Sequence, residues 1–293
     1  MTKPREATQY FTISGVLHPD NRLELEHGFL TTEPGHAVEE PDSALVAELA
    51  DERGRPLLRF RLPYGLPCTD GGPAADRLVI AKVPYPPATR TIRFVLDGVL
   101  VHELEVPGEA PLVELAWDPG EGAEGVRVVR WRGEHPQGRP LRYLLSYSAD
   151  DGQTWRPLSL PVAETEHEVD FARLPGGARC VLRVLASDGV NTTAALSKTF
   201  SRPVQPCYAM ILEPEDGTAC GAADRVRLQG QGYYLEERQP ELDRLDWVSS
   251  LDGPLGEGAI VELSGLSPGT HTITLTAGRE GRTGAATVTI RVG

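Results

Sequence analysis

Apolar and polar residues alternate along three stretches of this chain, and each stretch follows a proline corner. The three copies span Pro87–Leu96, Leu174–Ala186 and Leu266–Ala277. Because successive side chains of a strand point to opposite faces, this alternation predicts a half-buried β-strand in each copy. The corner prolines, at positions 87, 175 and 268, are 88 and 93 residues apart, close to the roughly 100 residues of one immunoglobulin-type sandwich. The spacing predicts three such domains in a row.

Short apolar runs separated by turn dipeptides make up the rest of the chain. Seven such runs lie between residues 112 and 200, which is the number that a small two-sheet sandwich needs. Asp97-Gly98, between two alternating runs, is a strong signal for a two-residue hairpin. No long amphipathic helical stretch is present in the sequence. The pattern therefore predicts an all-β fold of three tandem immunoglobulin-like β-sandwich domains.

Two proline-bearing stretches separate these domains. Glu109-Ala110-Pro111 is interpreted as the first linker, and Ser201–Pro206 as the second. We therefore predict domains at residues 1–109, 110–202 and 203–293.

The second domain carries motifs of a known family. Trp131 stands where that family keeps a core tryptophan, Leu141–Ser148 looks like its third strand, and Leu174-Pro175-Gly176 looks like the leucine corner before its sixth strand. Residues 110–202 therefore resemble a fibronectin type III domain. The family usually has a tyrosine where this chain has Cys180, so the resemblance implies a corner without the tyrosine hydrogen bond.

Two stretches of the third domain, Trp247–Gly253 and Leu266–Ala277, carry a second likeness. Residues 204–293 resemble the bacterial Ig-like or PKD-like modules found near the C-termini of exported multidomain proteins, often behind a protease. The aspartate-rich signature of true PKD domains is missing, so the likeness is to Ig-like modules in the broad sense. The resemblance implies a place in a longer exported chain. Residues 1–109 match no family that we recognise.

The chain carries 42 acidic and 29 basic side chains, a net charge of −13. This charge opposes attraction to phosphate backbones and anionic lipid, so we predict no nucleic-acid partner. No window approaches the ~20 apolar residues of a membrane span, and Met1–Glu6 lacks the apolar stretch of a signal peptide. We expect an extracellular or cell-surface protein that is part of a longer chain, or a cytoplasmic one if Met1 is the true start.

The four cysteines differ in their expected surroundings. Cys180 lies at an inward position of an alternating strand and is predicted to be a buried core thiol, whereas Cys68 lies in a loop. Cys207 and Cys220 flank the presumed first strand of the third domain, where they can form a disulfide in an oxidising compartment or stay unpaired. No Cys-x-x-Cys or Cys/His grouping has the spacing of zinc ligands.

The sequence contains none of the motifs that mark the common catalytic sites. His-Glu-x-x-His, Gly-x-Ser-x-Gly and a phosphate-cradling glycine loop are all missing. His167 has a glutamate on each side, but on a strand those carboxylates point to the opposite face. We therefore predict a protein that is not an enzyme, with no catalytic, cofactor-binding or metal residues. The scattered histidines are His18, His27, His36, His102, His135, His167 and His271.

Ser148–Trp155 matches the Asp-box of sialidase propellers, Ser-x-Asp-x-Gly-x-Thr-Trp. In that motif the aspartate bonds to turn amides, the glycine takes a conformation that other residues avoid, and the tryptophan packs beneath. A propeller repeats the motif in every blade, whereas this chain has it once. We therefore interpret it as a structural turn.

Three groups of carboxylates are candidates for calcium binding. Calcium needs six to eight oxygens that converge on one point, and no segment has the EF-hand spacing. Calcium at a domain junction is therefore an alternative to solvated loop charges, and no other cofactor is expected. The groups are Glu213, Glu215 and Asp216; Asp150 and Asp151; and Glu236, Glu237 and Glu241.

Two further motifs leave alternatives open. Tyr233-Tyr234 and Trp247 either form an aromatic platform for a sugar or belong to a core. Asn191-Thr192-Thr193 fits the glycosylation sequon, which has little meaning in a chain that resembles bacterial modules.

We expect a non-catalytic binding or spacer region that contacts protein or glycan through loops at the sandwich ends or at the domain junctions. One alternative is a substrate-recognition region of a secreted protease or other hydrolase, with the enzyme domain covalently linked in a longer chain. Another is a self-assembling surface or fibre subunit that uses unpaired edge strands.

Overall fold

The computed structural model describes residues 9–33, 39–67, 76–118, 123–235, 244–279 and 281–293. Within these ranges it contains 25 β-strands, a 3₁₀ turn at Phe171–Arg173 and no α-helix. The prediction of an all-β fold is therefore confirmed. In the same part of the chain, no helix has the length and apolar character that crossing a membrane requires.

The strands are numbered in chain order. The first twelve are β1 Gln9–Leu17, β2 Leu23–Leu25, β3 Leu30–Thr31, β4 Leu45–Ala50, β5 Pro56–Arg61, β6 Tyr64–Pro67, β7 Arg77–Tyr85, β8 Thr91–Leu96, β9 Val99–Glu105, β10 Leu112–Ala116, β11 Val126–Glu134 and β12 Arg142–Ser148. The others are β13 Arg156–Pro157, β14 Glu166–Asp170, β15 Gly177–Ser187, β16 Thr192–Leu196, β17 Phe200–Arg202, β18 Tyr208–Glu213, β19 Thr218–Cys220, β20 Arg225–Tyr233, β21 Arg244–Ser249, β22 Gly253–Glu257, β23 Ile260–Ser264, β24 Gly269–Arg279 and β25 Arg282–Val292.

The chain divides into two compact units. The first comprises Met1–Ser148, Gln153–Val169 and Val181–Thr199, and the second comprises Ala149–Gly152, Asp170–Cys180 and Phe200–Gly293. Within the first unit, we call the residues up to 109 the first segment and the remainder the second segment. The three domains predicted at residues 1–109, 110–202 and 203–293 stay a prediction.

Two antiparallel sheets enclose one core in the first segment. One sheet has the order β2-β1-β7-β6, with β3 also paired to β1, and the other has the order β5-β4-β8-β9. Inward residues of both sheets, such as Ile13 on β1 and Phe94 on β8, belong to the same buried cluster. The alternation predicted on β8 is confirmed, because Ile92, Phe94 and Leu96 are buried and the residues between them are partly exposed.

The second segment also has two sheets. Their orders are β10-β11-β14 and β13-β12-β15-β16. Trp131 on β11 and Tyr143 on β12 are both buried, and their ring centroids are 5.8 Å apart. Because one ring comes from each sheet, this contact joins the two sheets. The prediction that Trp131 is a core residue is confirmed.

The second unit contains a further pair of sheets, β18-β20-β23 and β19-β25-β24-β21-β22. Trp247 on β21 lies in one buried cluster with Leu228 on β20 and Ile273 and Leu275 on β24. The indole Nε1 of Trp247 donates to the Gly258 carbonyl at 2.9 Å, so its polar atom is paired inside the core. The alternation predicted over Leu266–Ala277 is confirmed on β24, because Ile273, Leu275 and Ala277 are buried and the residues between them are partly exposed.

A buried arginine holds the leucine corner of the second unit. Arg202 donates to the carbonyl oxygens of Leu174 at 3.0 Å and Pro175 at 3.2 Å, and also to that of Phe171. The carbonyls of the corner therefore have hydrogen-bond donors although position 180 is a cysteine and not a tyrosine. The interpretation of Ser201–Pro206 as a linker needs a correction, because its first two residues belong to β17 and Arg202 is buried.

The cysteines within the described residues are free thiols. Cys180 is fully buried, as predicted. Cys207 and Cys220 do not form the disulfide that the sequence left open, and burial raises the pKa of the Cys207 thiol. Cys68 lies outside the described residues.

A substitution at Gly230 on β20 tests the packing of the second unit. A methyl group at this position would lie 2.5 Å from the Leu275 side chain and 2.9 Å from that of Trp247. We expect Gly230→Ala to lower the free energy of unfolding by about 1–3 kcal/mol in urea denaturation, because the core has no room for another carbon. Gly108→Ala is the control, since a methyl group there meets no atom within 4 Å, and it should change that free energy by less than about 0.5 kcal/mol. A Gly230→Ala variant as stable as the control would contradict this packing.

Candidate functional site

The loop between β15 and β16, residues 188–191, is built around one carboxylate. Asp188 Oδ1 accepts the backbone N–H of Val190 at 3.0 Å and that of Asn191 at 2.9 Å. Gly189 has a φ of +110°, a conformation that other residues adopt only with strain. Asp188 and Val190 are only 5% and 3% exposed. Loops that join neighbouring strands usually lie on the surface. This loop instead has its Asp188 and Val190 side chains buried inside the protein.

The first segment receives this loop. Val190 belongs to the buried cluster formed by the two sheets of the first segment. Three hydrogen bonds between the segments accompany it. They join the Gly28 N–H to the Gly189 carbonyl at 3.1 Å, the Ser187 hydroxyl to the Gly28 carbonyl at 2.5 Å, and the Leu30 N–H to the Thr192 hydroxyl at 2.8 Å. The loop is thus part of the core of the first segment.

Asn191 fastens the chain where the two segments join. Its Nδ2 lies 2.9 Å from the Pro107 carbonyl oxygen, 3.1 Å from the Glu109 carbonyl oxygen and 3.3 Å from Asp188 Oδ2. Two amide hydrogens are therefore shared among three acceptors. Glycosylation at the sequon of residues 191–193 would modify this nitrogen. The nitrogen already donates hydrogen bonds inside the protein.

His135, in the loop between β11 and β12, is a buried partner of Asp188. Its Nε2 lies 3.2 Å from Asp188 Oδ2, and neither side chain is exposed. The Gln137 N–H donates to Nδ1 at 3.1 Å, so Nδ1 supplies a lone pair and Nε2 carries the hydrogen. The Asp188 carboxylate thereby accepts four hydrogen bonds. A buried carboxylate requires such pairing, because transfer from water without it is costly.

Two further titratable side chains adjoin the loop, both from the first segment. The pKa of His27 is lowered, first by partial burial and second by the nearby Arg142 guanidinium. A hydrogen bond with the Pro140 carbonyl and the charge of Asp188 oppose this shift in part. Burial raises the pKa of Tyr85 to about 12. The surroundings of the loop therefore favour the uncharged forms of both side chains.

A second contact joins the two segments around Arg183 on β15. Its guanidinium carbon lies 4.0 Å from the centre of the Trp155 ring, and its terminal nitrogen lies 2.5 Å from Glu33 Oε1. Lys82 also donates to the Glu33 backbone carbonyl. Stacking and a paired charge together stabilise a largely buried guanidinium. The tryptophan of the Asp-box therefore packs on an arginine.

The turn of the Asp-box has the backbone that the motif predicts. Gly152 has a φ of +82°, and Asp151 has a φ of +61°. The Asp151 carboxylate lies 2.7 Å from the Arg179 guanidinium. These observations favour the interpretation of the motif as a structural turn.

The second unit contains a buried serine and histidine pair that no sequence motif indicates. Ser249 Oγ lies 2.7 Å from His271 Nδ1, and the opposite ring nitrogen lies 2.6 Å from the Ser267 carbonyl oxygen. Because a carbonyl only accepts, that nitrogen carries the hydrogen and the Ser249 hydroxyl donates to Nδ1. Ser249 Oγ also accepts the N–H groups of Leu251 and Asp252.

This pair differs from a catalytic triad in two respects. Asp252 Oδ2 lies 3.9 Å from His271 Nδ1, the nitrogen that the serine uses, whereas the carboxylate of a triad holds the opposite nitrogen. Ser249 and His271 are also buried, so the hydroxyl is closed to a substrate. We conclude that the pair fastens the turn between β21 and β22 to β24.

Two of the carboxylates considered for calcium, those of Asp216 and Glu213, have protein partners. Asp216 Oδ1 accepts the Thr289 N–H at 2.7 Å, and Glu213 lies 3.6 Å from Arg227. Among the described residues, no three His, Cys, Asp or Glu side chains converge on a point that could hold a metal ion. Residues 236, 237 and 241 lie outside the described ranges, so calcium at a domain junction stays an untested alternative to solvated loop charges.

The aromatic residues considered for sugar binding separate into core and surface. Tyr234 and Trp247 are buried, and the Tyr234 hydroxyl donates to the Arg282 carbonyl at 2.8 Å. Tyr233 is 36% exposed and stacks on Tyr208, with ring centroids 5.3 Å apart and planes 14° apart. The three residues therefore do not form one platform, and the core alternative holds for Tyr234 and Trp247.

No protein-family model matches the sequence, and no curated protein matches it. Among solved structures, the chain is similar to the fibronectin(III)-like modules of Clostridium thermocellum CbhA, at 13% identity and a TM-score of 0.27, over 62% of this chain and 94% of that chain. It is also similar to three N-terminal domains of the bacteriophage RB49 outer capsid protein Hoc, at 13% identity and a TM-score of 0.26, over 63% and 58% of the two chains. For the FN1-FN3 domains of chicken CNTN1, the identity is 12%, the TM-score is 0.21 and the coverage is 95% of each chain. Similarity at this level identifies no function for this chain.

Asn191 tests the hydrogen bonds at the loop. We expect Asn191→Ala to lower the free energy of unfolding by about 1–2 kcal/mol, because each lost hydrogen bond contributes roughly 1 kcal/mol. Gln137→Ala is the matched control, since it removes an exposed amide side chain and keeps the N–H that binds His135. Urea denaturation measures both variants, and equal free energies would show that the Asn191 bonds do not stabilise the fold.

A fluorophosphonate probe tests whether Ser249 is a nucleophile. We expect no labelling of Ser249 in the native chain, because its hydroxyl is buried and bonded to an imidazole and two N–H groups. Peptide mass spectrometry reads the result, and a serine hydrolase treated in parallel shows that the probe is active. Stoichiometric labelling at Ser249 would overturn the structural interpretation of the pair.

Proposed function

We propose that this chain is a non-catalytic binding or spacer region in which the first and second segments act as one rigid pair. The observation that carries the proposal is the burial of Val190, a loop residue of the second segment, in the core of the first. Modules joined by a linker alone are expected to move relative to each other. A loop packed into the neighbouring core removes that freedom, because undocking would expose apolar surface and break the hydrogen bonds beside it.

The docked loop also bears on where a partner binds. In β-sandwich domains, the loops at the sandwich ends frequently carry recognition. The loop that contains Val190 and the loop that contains His135 are instead engaged inside the first unit. A protein or glycan partner would therefore use other loops or the exposed sheet faces.

The buried polar side chains support a non-catalytic role. Asp188 and His135 bond to each other in the first unit, and Ser249 and His271 bond to each other in the second. A general base or nucleophile has to come within hydrogen-bonding distance of its substrate, whereas these four side chains are buried. Their arrangement is explained by the stability of loops and turns.

We further propose that the chain belongs to an exported or cell-surface bacterial protein. There, a rigid pair would position a covalently linked enzyme domain or hold a binding domain at a fixed distance. The resemblance of residues 110–202 to fibronectin type III domains and of residues 204–293 to bacterial Ig-like modules supports this setting. The docked loop supports the spacer part of the proposal.

Spin-label distances test the rigid pair. Ile80→Cys in the first segment and Leu160→Cys in the second place labels at side chains that are 65% and 82% exposed, in a chain whose Cys68 and Cys220 are replaced by serine. We expect one narrow distance distribution by pulsed electron paramagnetic resonance near neutral pH. Val190→Asp should broaden it severalfold, because burial of an unpaired carboxylate opposes docking.

Val204→Asp is the matched control, since Val204 is 53% exposed, and it should leave the width unchanged. Circular dichroism checks that each variant keeps its strands. A broad distribution in the chain with native Val190 would refute the proposed function, and a narrow one in Val190→Asp would show that this residue does not hold the pair.

A further inference from the structure

Two histidines adjoin the docked loop, one from each segment. His135 of the second segment bonds to Asp188. His27 of the first segment lies beside Gly189, where an added methyl group would be 3.9 Å from the His27 ring. The charge of a histidine changes near physiological pH. If the neighbours of the docked histidine favour one charge state, docking of the loop therefore depends on pH.

The surroundings of His27 favour the neutral imidazole. The ring is partly buried, and Arg142 on β12 adds a like charge to the protonated form. The charges of Asp188 on the docked loop and of Glu26 beside it in sequence, and the carbonyl of Pro140, act in the opposite direction without outweighing these effects. The pKa of docked His27 therefore lies below its ordinary value of 6.5.

The sign of the pH effect follows from proton linkage. Above pH 6.5, the ordinary pKa, His27 is mainly neutral whether or not the loop is docked. Below that value, His27 of the undocked form, which faces water, takes up a proton before His27 of the docked form does. Acid therefore favours undocking, by at most about tenfold in the equilibrium constant per pH unit for one histidine.

The loop is able to leave without losing its shape. The four donors to Asp188 all belong to the second segment, since they come from Val190, Asn191 and His135. Undocking removes the apolar contact of Val190 and the hydrogen bonds to the first segment, but the carboxylate stays paired. Release and return of a preformed loop cost less ordering entropy than folding a new one.

We propose that the junction of the two segments is an acid-sensitive joint, in which protonation of His27 releases the Asp188–Asn191 loop and lets the segments reorient. The inference rests on the proposed rigid pair, because only a docked loop can be released.

The labels at Ile80→Cys and Leu160→Cys also report on the joint when the pH is lowered from about 7.5 to about 5.5, across the range where histidine titrates. We expect a narrow distribution at the higher pH and a growing broad component below pH 6.5, the ordinary pKa of the ring. The ratio of the broad component to the narrow component should rise by up to about tenfold for each unit by which the pH is lowered. His27→Gln stays neutral and keeps a donor for the Pro140 carbonyl, so its distribution should stay narrow throughout.

Two more variants separate His27 from general acid effects. Arg142→Gln should weaken the response, because loss of the like charge brings the pKa of docked His27 closer to its ordinary value. His167→Gln on β14 should respond as the unaltered chain does, since His167 contacts the Leu158 carbonyl and not the docked loop.

The outcomes distinguish this inference from the proposed function. A narrow distribution at both pH values would overturn the acid-sensitive joint and leave the rigid pair intact. A broad distribution already at neutral pH would overturn the rigid pair itself. Broadening in acid that persists in His27→Gln would overturn the role of His27.

Discussion

The Asp188 carboxylate is the group on which the arrangement of the first unit depends. By accepting the N–H groups of Val190 and Asn191, it closes the loop into a turn and leaves the Val190 side chain projecting from it. A loop can enter a hydrophobic core only if its polar groups are paired, because an unpaired one is costly to bury. His135 and the Asn191 amide complete that pairing on the other oxygen.

One consequence is that the core of the first segment includes a residue of the second segment. Val190 of the second segment lies among the inward residues of both first-segment sheets, so packing in one segment depends on the position of the other. The hydrogen bonds of Asn191 to the Pro107 and Glu109 carbonyls hold the connection between the segments in the same way. The orientation of the two segments is thereby tied to their stability.

The sequence was most informative where the physical cause is local. Alternation with a period of two placed Ile92, Phe94 and Leu96 in a core, and the same pattern placed Cys180 there. His271 lies at an inward position of the third alternating run, so a polar residue in the core was detectable from the pattern alone. Its partner was not, because Ser249 is 22 residues away and nothing local marks it.

The docked loop shows why the remainder could not be predicted. Asp188-Gly189 has the composition of an ordinary turn, and His135 lies 53 residues before its partner. Gly28 and Ser187, which bond across the two segments, are 159 residues apart. Arg202 lies in a proline-bearing stretch whose composition indicates a linker. Its guanidinium nevertheless donates hydrogen bonds to the carbonyls of the leucine corner. Each of these depends on tertiary contacts that a period or a motif does not encode.

Native-state amide hydrogen exchange at Gly28 and Leu30 tests the docked loop most directly. These first-segment N–H groups donate to Gly189 and Thr192 of the second segment, so they exchange when the loop leaves. Near neutral pH, we expect exchange at least ~100-fold slower than in an unstructured peptide, because exchange then requires opening of the joint. Exchange at the rate of an unstructured peptide at both positions would contradict the claim that the two segments form one rigid pair.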